Sequence, residues 1–387
     1  MTALVVILLA PFAVLTTVFA LELFVGLGSS AAAAERRSGA SAVIVVPAHD
    51  EGLVIGETLR SLKAALGERM RLLVVADNCT DSTAEIGREA GVEVLERRNL
   101  DQRGKGFALA FAADHLRSDP PDVFAVMDAD CCIDKASLQA LVASASAGRP
   151  SQTINLLRPD RSAPPLVQLS TFAFLIKNLV RQRGLQRMAG RVHLTGTGMA
   201  MPFSLFDASG HVRSSVVEDL ALGLELSDAG HPPVLVTNAF VWSGGSTEQG
   251  TLTQRRRWEG GFIATALRWG PREVLHGIRS GNLRGVLAAL DLMIPPLALF
   301  AILNLAVLCV AAGLTAVSGA KWWPILVQVS LLCIAGAGLL LAWAKEGRQF
   351  ISLGALARLP LYMLWKLPMY LGLARGGAPK EWLRTGR

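Results

Sequence analysis

The first 28 residues, MTALVVILLAPFAVLTTVFALELFVGLG, carry one charged side chain, Glu22. An apolar stretch of this length exceeds the roughly 20 residues that a helix needs to cross a bilayer. A secretory signal would have a basic start and a shorter apolar core; neither is present, so 1–28 is expected to be a retained transmembrane helix. Arg36 and Arg37 follow it. Basic flanks favour the cytoplasmic side, so the residues after the anchor are expected to face the cytoplasm. The other end of the chain is apolar too. The runs 286–314 and 322–344 are long enough to cross, and the span 284–345 is expected to hold two transmembrane helices. The stretch 351–374 differs, because it carries Arg358, Lys366, Pro360 and Pro368 among aromatics and leucines. That mixture predicts a helix lying in the membrane interface, with a third C-terminal crossing as the alternative. The whole reads as a multi-pass protein of the plasma (inner) membrane.

Mean hydropathy over the 387 residues is clearly positive, but the excess sits at the two ends, and the middle has ordinary soluble composition. The formal net charge is +7, with no RNA- or DNA-binding motif and much of the excess beside the apolar segments. A membrane surface accounts for such charge more simply than nucleic acid does. The five cysteines, Cys79, Cys131, Cys132, Cys309 and Cys333, show no paired metal-ligand spacing. They are expected to be reduced, as in a cytoplasmic domain.

From about residue 40 to 157 the chain alternates between two patterns. Short β-branched runs at 41–47, 71–77, 92–96 and 122–128 read as strands. Stretches with helical spacing at 54–66, 81–90, 105–116 and 136–147 separate them. Alternation of this kind predicts an α/β fold with a mostly parallel sheet and helices on both faces. Ligands bind such sheets at the carboxyl ends of the strands. Acids collect at those ends here: PAHDE at 47–51, DNCTD at 77–81, and Asp128 with Asp130 after the fourth strand. Carboxylates crowded together repel unless a cation or a hydrogen-bonding ligand is shared among them. Asp128 and Asp130 are two residues apart, so on an extended chain they point the same way. Together they suit Mg2+ or Mn2+, which take one or two carboxylates and fill their remaining positions with phosphate oxygens and water.

The ordered series VPAHDEG, ADNCTDST, RGKGFAL, MDAD, TGTGMA, VEDLALGLEL and QRRRW resembles membrane-bound family 2 glycosyltransferases, the cellulose, chitin and hyaluronan synthases among them. The resemblance covers about 40–265 and implies the GT-A nucleotide-sugar-binding fold, Rossmann-like in layout. It implies a cytoplasmic GT-A domain at 38–250, an amphipathic interface helix with a Gln-x-x-Arg-Trp motif at 251–275, and a C-terminal tail at 375–387 able to gate the site. It implies a nucleotide-sugar donor, most readily a UDP-sugar, and Mg2+ or Mn2+ at its diphosphate. On this basis Asp130 is the direct metal ligand, and Asp128 lies nearer the ribose or the outer ligands of the metal. Asp77 is similar to the acid that reads the uracil base, and Pro47 and Glu51 to the opening of that pocket. Arg103 and Lys105, in RGKG, resemble a basic turn at the nucleotide; GxxxxGK[ST], the signature of a P-loop, is absent.

The resemblance makes Asp219 the general base, with Glu218 beside it. A hydroxyl acceptor is a poor nucleophile until a carboxylate within hydrogen-bond reach takes its proton, and a single displacement would invert the anomeric centre. Both acids also suit a plain helix start. Thr197 and Gly198 lie in a small-residue loop similar to the one where the acceptor rests, or form an ordinary turn. Gln254, Arg257 and Trp258 fall at i, i+3 and i+4, on one side of a helix. There Trp can stack on sugar and Arg can pair with diphosphate, and an amphipathic membrane-surface helix has the same pattern. Thr385 and Arg387, with Arg384, resemble a segment that closes over phosphate in some members, against a frayed terminus.

The leading expectation is a membrane-anchored inverting glycosyltransferase that acts on a membrane-associated acceptor, a lipid or a glycan, in exopolysaccharide or lipid-linked glycan synthesis. A single-sugar glycolipid transferase is the alternative. Three crossings are few for a polymer channel in one chain, so polymer export would call for a homo-oligomer. A transporter or membrane scaffold would explain the apolar ends, but the expected crossings lack the set of charges that transport demands. A glycoside hydrolase also uses paired acids, yet has no need of a nucleotide pocket.

Overall fold

A computed structural model of the chain describes residues 1–28, 39–209, 218–244 and 248–376, with the backbone alone at 218 and 248–254. Arg36, Arg37, Arg384, Thr385 and Arg387 lie outside the described residues, as do the side chains of Glu218 and Gln254.

The chain opens with helix α1 (Thr2–Gly26). It then alternates through β1 (Ala42–Ala48), α2 (Ile55–Ala65), β2 (Met70–Asp77), α3 (Thr83–Glu89), β3 (Glu93–Arg97) and α4 (Lys105–Leu116). Strands β4 (Val123–Val126) and β5 (Cys131–Ile133), helix α5 (Lys135–Ser146) and strand β6 (Ser151–Leu157) follow. A helical insertion comes next: α6 (Pro165–Leu175), a π-helical stretch Ile176–Arg181, and α7 (Gln182–Ala189). Then come β7 (Met199–Pro202), α8 (Phe203–Ala208), α9 (Glu218–Asp228) and β8 (Val234–Ser243). Beyond 248 the described chain is helical: α10 (Glu248–Arg279), α11 (Leu283–Met293), α12 (Leu297–Ser318), α13 (Trp323–Ala342), α14 (Leu353–Leu356) and α15 (Leu359–Gly376).

Two units result. One is built from 39–158, 190–209 and 218–244, and the other from 1–28, 159–189 and 248–376. The stretch 159–189 lies inside the span expected to form one domain at 38–250, yet it packs with the apolar helices.

The first of these units is an eight-stranded sheet in the order β3-β2-β1-β4-β7-β6-β8-β5. Strands β3, β2, β1 and β4 are mutually parallel, as the alternation predicts. Successive side chains on a strand face opposite ways, and the two faces of β1 show why both needed covering. Ile44 and Val46 pack against Ile55, Leu59 and Leu62 of α2 and Leu138 and Leu141 of α5. Val43 and Val45 pack against Leu109 and Ala112 of α4, with Leu222 and Leu226 of α9 on the same side. A run buried on both faces is what a parallel strand inside a layered fold requires.

Strands β5, β6, β7 and β8 have no counterpart among the strands read from the sequence. The segment TGTGMAMP, read as a loop or turn, contributes β7, which pairs antiparallel with both β4 and β6. It is four residues long and holds no β-branched or aromatic residue. Its existence depends on a partner more than 70 positions earlier, and local propensity carries no such information.

In the other unit, three helices among the described residues are long and apolar enough to cross a membrane: Thr2–Gly26, Leu297–Ser318 and Trp323–Gly347. The apolar run 286–314 does not form a single helix. It breaks at Ile294, which is extended, and Pro296 caps α12. Proline disfavours the helical conformation in the residue before it, so the pair Pro295–Pro296 divides the run. Each of the three long helices contributes one buried polar side chain to a shared contact. Gln328 Nε2 donates to Asn304 Oδ1 at 2.7 Å and to Thr16 Oγ1 at 3.2 Å. Interhelical hydrogen bonds of this kind hold apolar helices in register where water cannot compete.

The lone acid of α1 also has a partner. Glu22 is fully buried, and Arg181 donates to it at 2.7 Å while also pairing with Asp291 of α11. Arg187 and Lys345 donate to the carbonyls of Val25, Leu27 and Gly28 at the end of α1. They satisfy acceptors that a helix end leaves open.

Candidate active site

The acids at the strand ends sort into two groups. Asp50 and Asp81 stitch the loops after β1 and β2. Asp50 Oδ1 accepts from Thr80 N at 2.6 Å, and Asp81 Oδ2 accepts from Gly52 N at 2.9 Å. Asp50 and Asn78 are the only described non-glycine residues with positive φ, at 54° and 53°. Asp and Asn tolerate that region best. Both residues follow strands whose carboxyl ends meet, and His49 Nδ1 lies 2.7 Å from the Asp77 carbonyl oxygen. These contacts hold the two loops together.

Asp128 and Asp130 follow β4, and α4, the turn before β7 and the start of α9 converge there. Lys105, the first residue of α4, donates to Asp128 Oδ1 and, at 2.7 Å, to the carbonyl of Gly196. Asp128 N donates to Thr197 Oγ1 at 3.1 Å, and Gly198 N donates to the Val126 carbonyl at 2.9 Å. Asp219 stands at the start of α9, where Leu220 N donates to its Oδ1 at 2.8 Å. A Cβ at Gly196 would sit 3.0 Å from Asp219 Oδ2 and 3.2 Å from Lys105 Nζ. Asp219 and Lys105 therefore face the same backbone position. Burial pushes the Asp128 carboxyl above its ordinary value; Lys105 opposes this, and Asp130 and Asp219 add to it. The acids are close enough to feel one another.

Strand β7 places the turn before it. Gly198 has φ +61°, and a Cβ there would meet Thr153 Oγ1 at 2.1 Å and Val241 Cγ2 at 2.6 Å. Only glycine fits. Gly198→Ala is expected to destabilise the protein by about 1–3 kcal/mol through overpacking and backbone strain. A fall in Tm of the detergent-purified chain would register this; an unchanged Tm would contradict it.

The residues present suit a divalent cation. Asp128, Asp130 and Cys131 offer ligand atoms within 4.8 Å of one another. Cys131 is held well above its usual thiol range by burial and by the two acids, and its Sγ donates to Asp130 Oδ1 at 3.3 Å. A protonated thiol is a poor ligand. That leaves two carboxylates, hard oxygen donors of the kind Mg2+ and Mn2+ prefer.

A second cluster of charged and polar side chains forms at the end of β2. Asp77 is 1% exposed, and its Oδ1 accepts from Arg97 Nη1 at 2.7 Å and from Asn78 Nδ2 at 3.1 Å. Its Oδ2 is buried with no partner among the described residues. Burial pushes the Asp77 carboxyl up, against the pull of Arg97. A buried acceptor without a donor is costly unless a ligand N–H or O–H completes it. Arg97 also donates to the Gln102 carbonyl at 2.7 Å, and its guanidinium lies over the Phe107 ring at 5.5 Å. Arg97 and Asn78 escaped the sequence reading. Arg97 stands directly opposite Asp77 in the β2–β3 register, a relation visible only once the strands are paired.

The remaining candidates are spread more widely. Pro47 is buried within β1. Glu51 begins the approach to α2, its N–H donating to Thr83 Oγ1 at 2.9 Å and its carbonyl accepting from Val54 and Ile55. Arg103 is exposed and donates to the Leu100 carbonyl at 3.0 Å. Arg257 and Trp258 belong to the helical unit. The Trp258 ring lies 6.0 Å from that of Phe174, with the Arg255 guanidinium 5.5 Å from its centroid.

An α/β sheet with helices on both faces, an acid pair suited to a divalent cation, and a basic side chain beside it suit an enzyme that handles a metal-bound phosphate group. Comparison with known proteins narrows this. The profile described as glycosyltransferase-like family 2 matches residues 40–261, more than half of the chain. The chain belongs to that family.

Two curated relatives match shorter stretches. The low-salt glycan biosynthesis hexosyltransferase Agl6 of Haloferax volcanii is 37% identical over 102 residues, 26% of this chain and 23% of its own length. The uncharacterized protein MJ1222 of Methanocaldococcus jannaschii is 38% identical over 87 residues, 22% of this chain and 34% of its own. The chain thus matches about a quarter to a third of the length of these relatives. Among solved structures, the mannosyltransferase PcManGT of Pyrobaculum calidifontis, determined with GDP-Man and Mn2+, superposes with a TM-score of 0.57 at 14% identity. That match covers 95% of this chain and 99% of PcManGT, and it shows a shared fold.

Proposed function

We propose that the chain is a membrane-attached, divalent-metal-dependent, inverting glycosyltransferase. It moves a hexose from a nucleoside-diphosphate sugar to a lipid or lipid-linked glycan acceptor. The convergence of Asp128, Lys105, the Gly196 carbonyl and Asp219 on one place carries this reading. A sugar transfer needs a site for the departing diphosphate and, on the opposite side of the anomeric carbon, a base for the incoming hydroxyl. Asp130 and Asp128 would hold Mg2+ or Mn2+, which supplies charge neutralisation for the diphosphate. Lys105 adds a second positive charge there. Asp219 takes the proton of the acceptor hydroxyl. Asp77, through its buried Oδ2, accepts from a ring N–H of the base, which uracil and guanine both provide. UDP-sugars come first by family resemblance, and GDP-mannose is the donor named with PcManGT.

The acceptor follows from the other unit. Helices able to cross a bilayer suit an acceptor held at the membrane, and the Haloferax relative is named for glycan biosynthesis. The catalytic unit would face the cytoplasm, with Gln254, Arg257, Trp258 and the tail at Thr385 and Arg387 serving acceptor or diphosphate.

The deciding experiment offers UDP-glucose, UDP-galactose, UDP-N-acetylglucosamine and GDP-mannose to the full chain in detergent, with Mn2+, Mg2+ or a chelator, and measures nucleotide release. One donor should be consumed, and only with metal. If no nucleoside diphosphate binds with any divalent ion, the reading falls.

A further inference from the structure

Arg358 and Lys366 make 351–374 look like a segment lying among lipid headgroups. The structure treats them differently: Arg358 is exposed, but Lys366 is 2% exposed. Its ammonium donates to Glu259 Oε1 and lies 5.3 Å and 5.7 Å from the ring centroids of Tyr362 and Tyr370. Tyr370 Oη donates to the other oxygen, Glu259 Oε2, at 2.7 Å. Tyr362, Lys366 and Tyr370 are spaced by four, so they form one stripe along α15, and that stripe closes on a single residue of α10. Burying an ion pair costs desolvation on both partners. This pair recovers some of it through the tyrosine faces and the phenol hydrogen bond.

Glu259 immediately follows Trp258 of the Gln-x-x-Arg-Trp motif. One turn earlier, Arg255 is also buried. It donates to Ser170 Oγ and to the Ser170 carbonyl of α6, both at 3.0 Å, and lies over the Phe174 ring at 5.1 Å. Positions 255, 259 and 262 fall on one helix face by the 3.6-residue period. All three are buried, with Phe262 completing the set. Position 257 lies about 200° around from 255 by the same period. Two charged anchors, one to α6 and one to α15, therefore fix the rotation of α10, and with it the direction of Arg257.

We propose that Arg255, Glu259, Lys366 and Tyr370 are positioning residues that set the rotation of the motif helix, and that α15 acts as its brace. The inference rests on the proposed part of Gln254, Arg257 and Trp258 in transfer. The four act through other residues: Arg255 holds Ser170, and Lys366 and Tyr370 hold Glu259. The clasp holds one face of α10 so that the motif residues beside it stay aimed.

The test compares Lys366→Met, Lys366→Arg and Tyr370→Phe with the wild-type chain in detergent, reading kcat, donor Kd and Tm. Small misplacements of groups that orient reactants cost on the order of 10²-fold, so Lys366→Met should lower kcat by about that much. Donor Kd should not move, Lys366→Arg should recover most of the loss, and Tyr370→Phe should fall between. If Lys366→Met does not fold, Glu259→Gln combined with Lys366→Met removes both charges and carries the same comparison. Wild-type kcat in Lys366→Met, or donor affinity and Tm falling in step with kcat in every variant, overturns the proposal. Should the wild type transfer from no donor at all, the enzymatic reading fails separately. Backbone hydrogen exchange over 255–262 then decides: lost protection in Lys366→Met supports the clasp, and unchanged protection rejects it.

Discussion

Asp219→Asn lowers turnover by about 10²–10⁴-fold, the usual contribution of a general base, and leaves donor affinity as it was. The substitution is chosen because it separates two jobs that one carboxylate can do. Asp219 is the second residue of α9, and its Oδ1 accepts from Leu220 N. Asparagine caps a helix about as well as aspartate, so a residue that only caps would leave both rate and stability unchanged in the variant. A residue that takes a proton loses that ability entirely, because a carboxamide is not a base. Geometry favours the second job. Oδ2 points to the place where a Gly196 side chain would stand, beside the Lys105 ammonium, and not back into its own helix. Single-turnover transfer and donor titration on the same preparation give the answer. Loss of donor binding equal to the loss of turnover would sink the assignment of Asp219 to the acceptor side.

The sequence and the structure agree where the deciding interactions are local. Runs such as AVIVVPA and RLLVVAD read as strands because their β-branched residues fit nothing else so well, and the acids at their ends mark the ligand edge by the topology of parallel sheets. The strand–helix alternation through 157 holds in the structure for this reason. Where a contact joins distant residues, the letters are silent. Strand β7 forms from MAMP because β4 and β6 present open edges to it. Arg97 matters because β3 lies in register with β2. Glu22 looks like an isolated acid in an apolar helix until Arg181, 159 residues later, reaches it. Lys366 reads as surface charge because its partner, Glu259, lies 107 residues away and inside the protein. In each case a charge pattern was visible, but which charge meets which is a tertiary fact. The motif residues fall between these extremes: their spacing shows which side of a helix they share, and packing at 255 and 259 sets where that side faces.

Asp130→Ala weakens donor binding itself, on the order of 100-fold in Mn2+, the effect of losing one charged contact worth roughly 3 kcal/mol. The choice of Asp130 over Asp128 is deliberate. Asp128 is bound to Lys105, and its backbone N–H is held by Thr197. Removing its side chain would release Lys105 and rearrange the turn before β7, so any loss would mix metal, lysine and backbone effects. Asp130 accepts from the Cys131 thiol, a weak donor. The metal dependence of the defect is the informative part. If Asp130 acts through a divalent cation, wild type and variant bind donor with the same poor affinity in chelator, and only the wild type improves as Mn2+ is added. A defect of equal size with and without Mn2+ would mean that Asp130 shapes the pocket directly, and the division of labour between an Asp130 metal ligand and an Asp219 base would have to be redrawn. The two substitutions thus test opposite sides of one anomeric carbon: Asp130→Ala should change Kd for donor with its metal, and Asp219→Asn should change kcat.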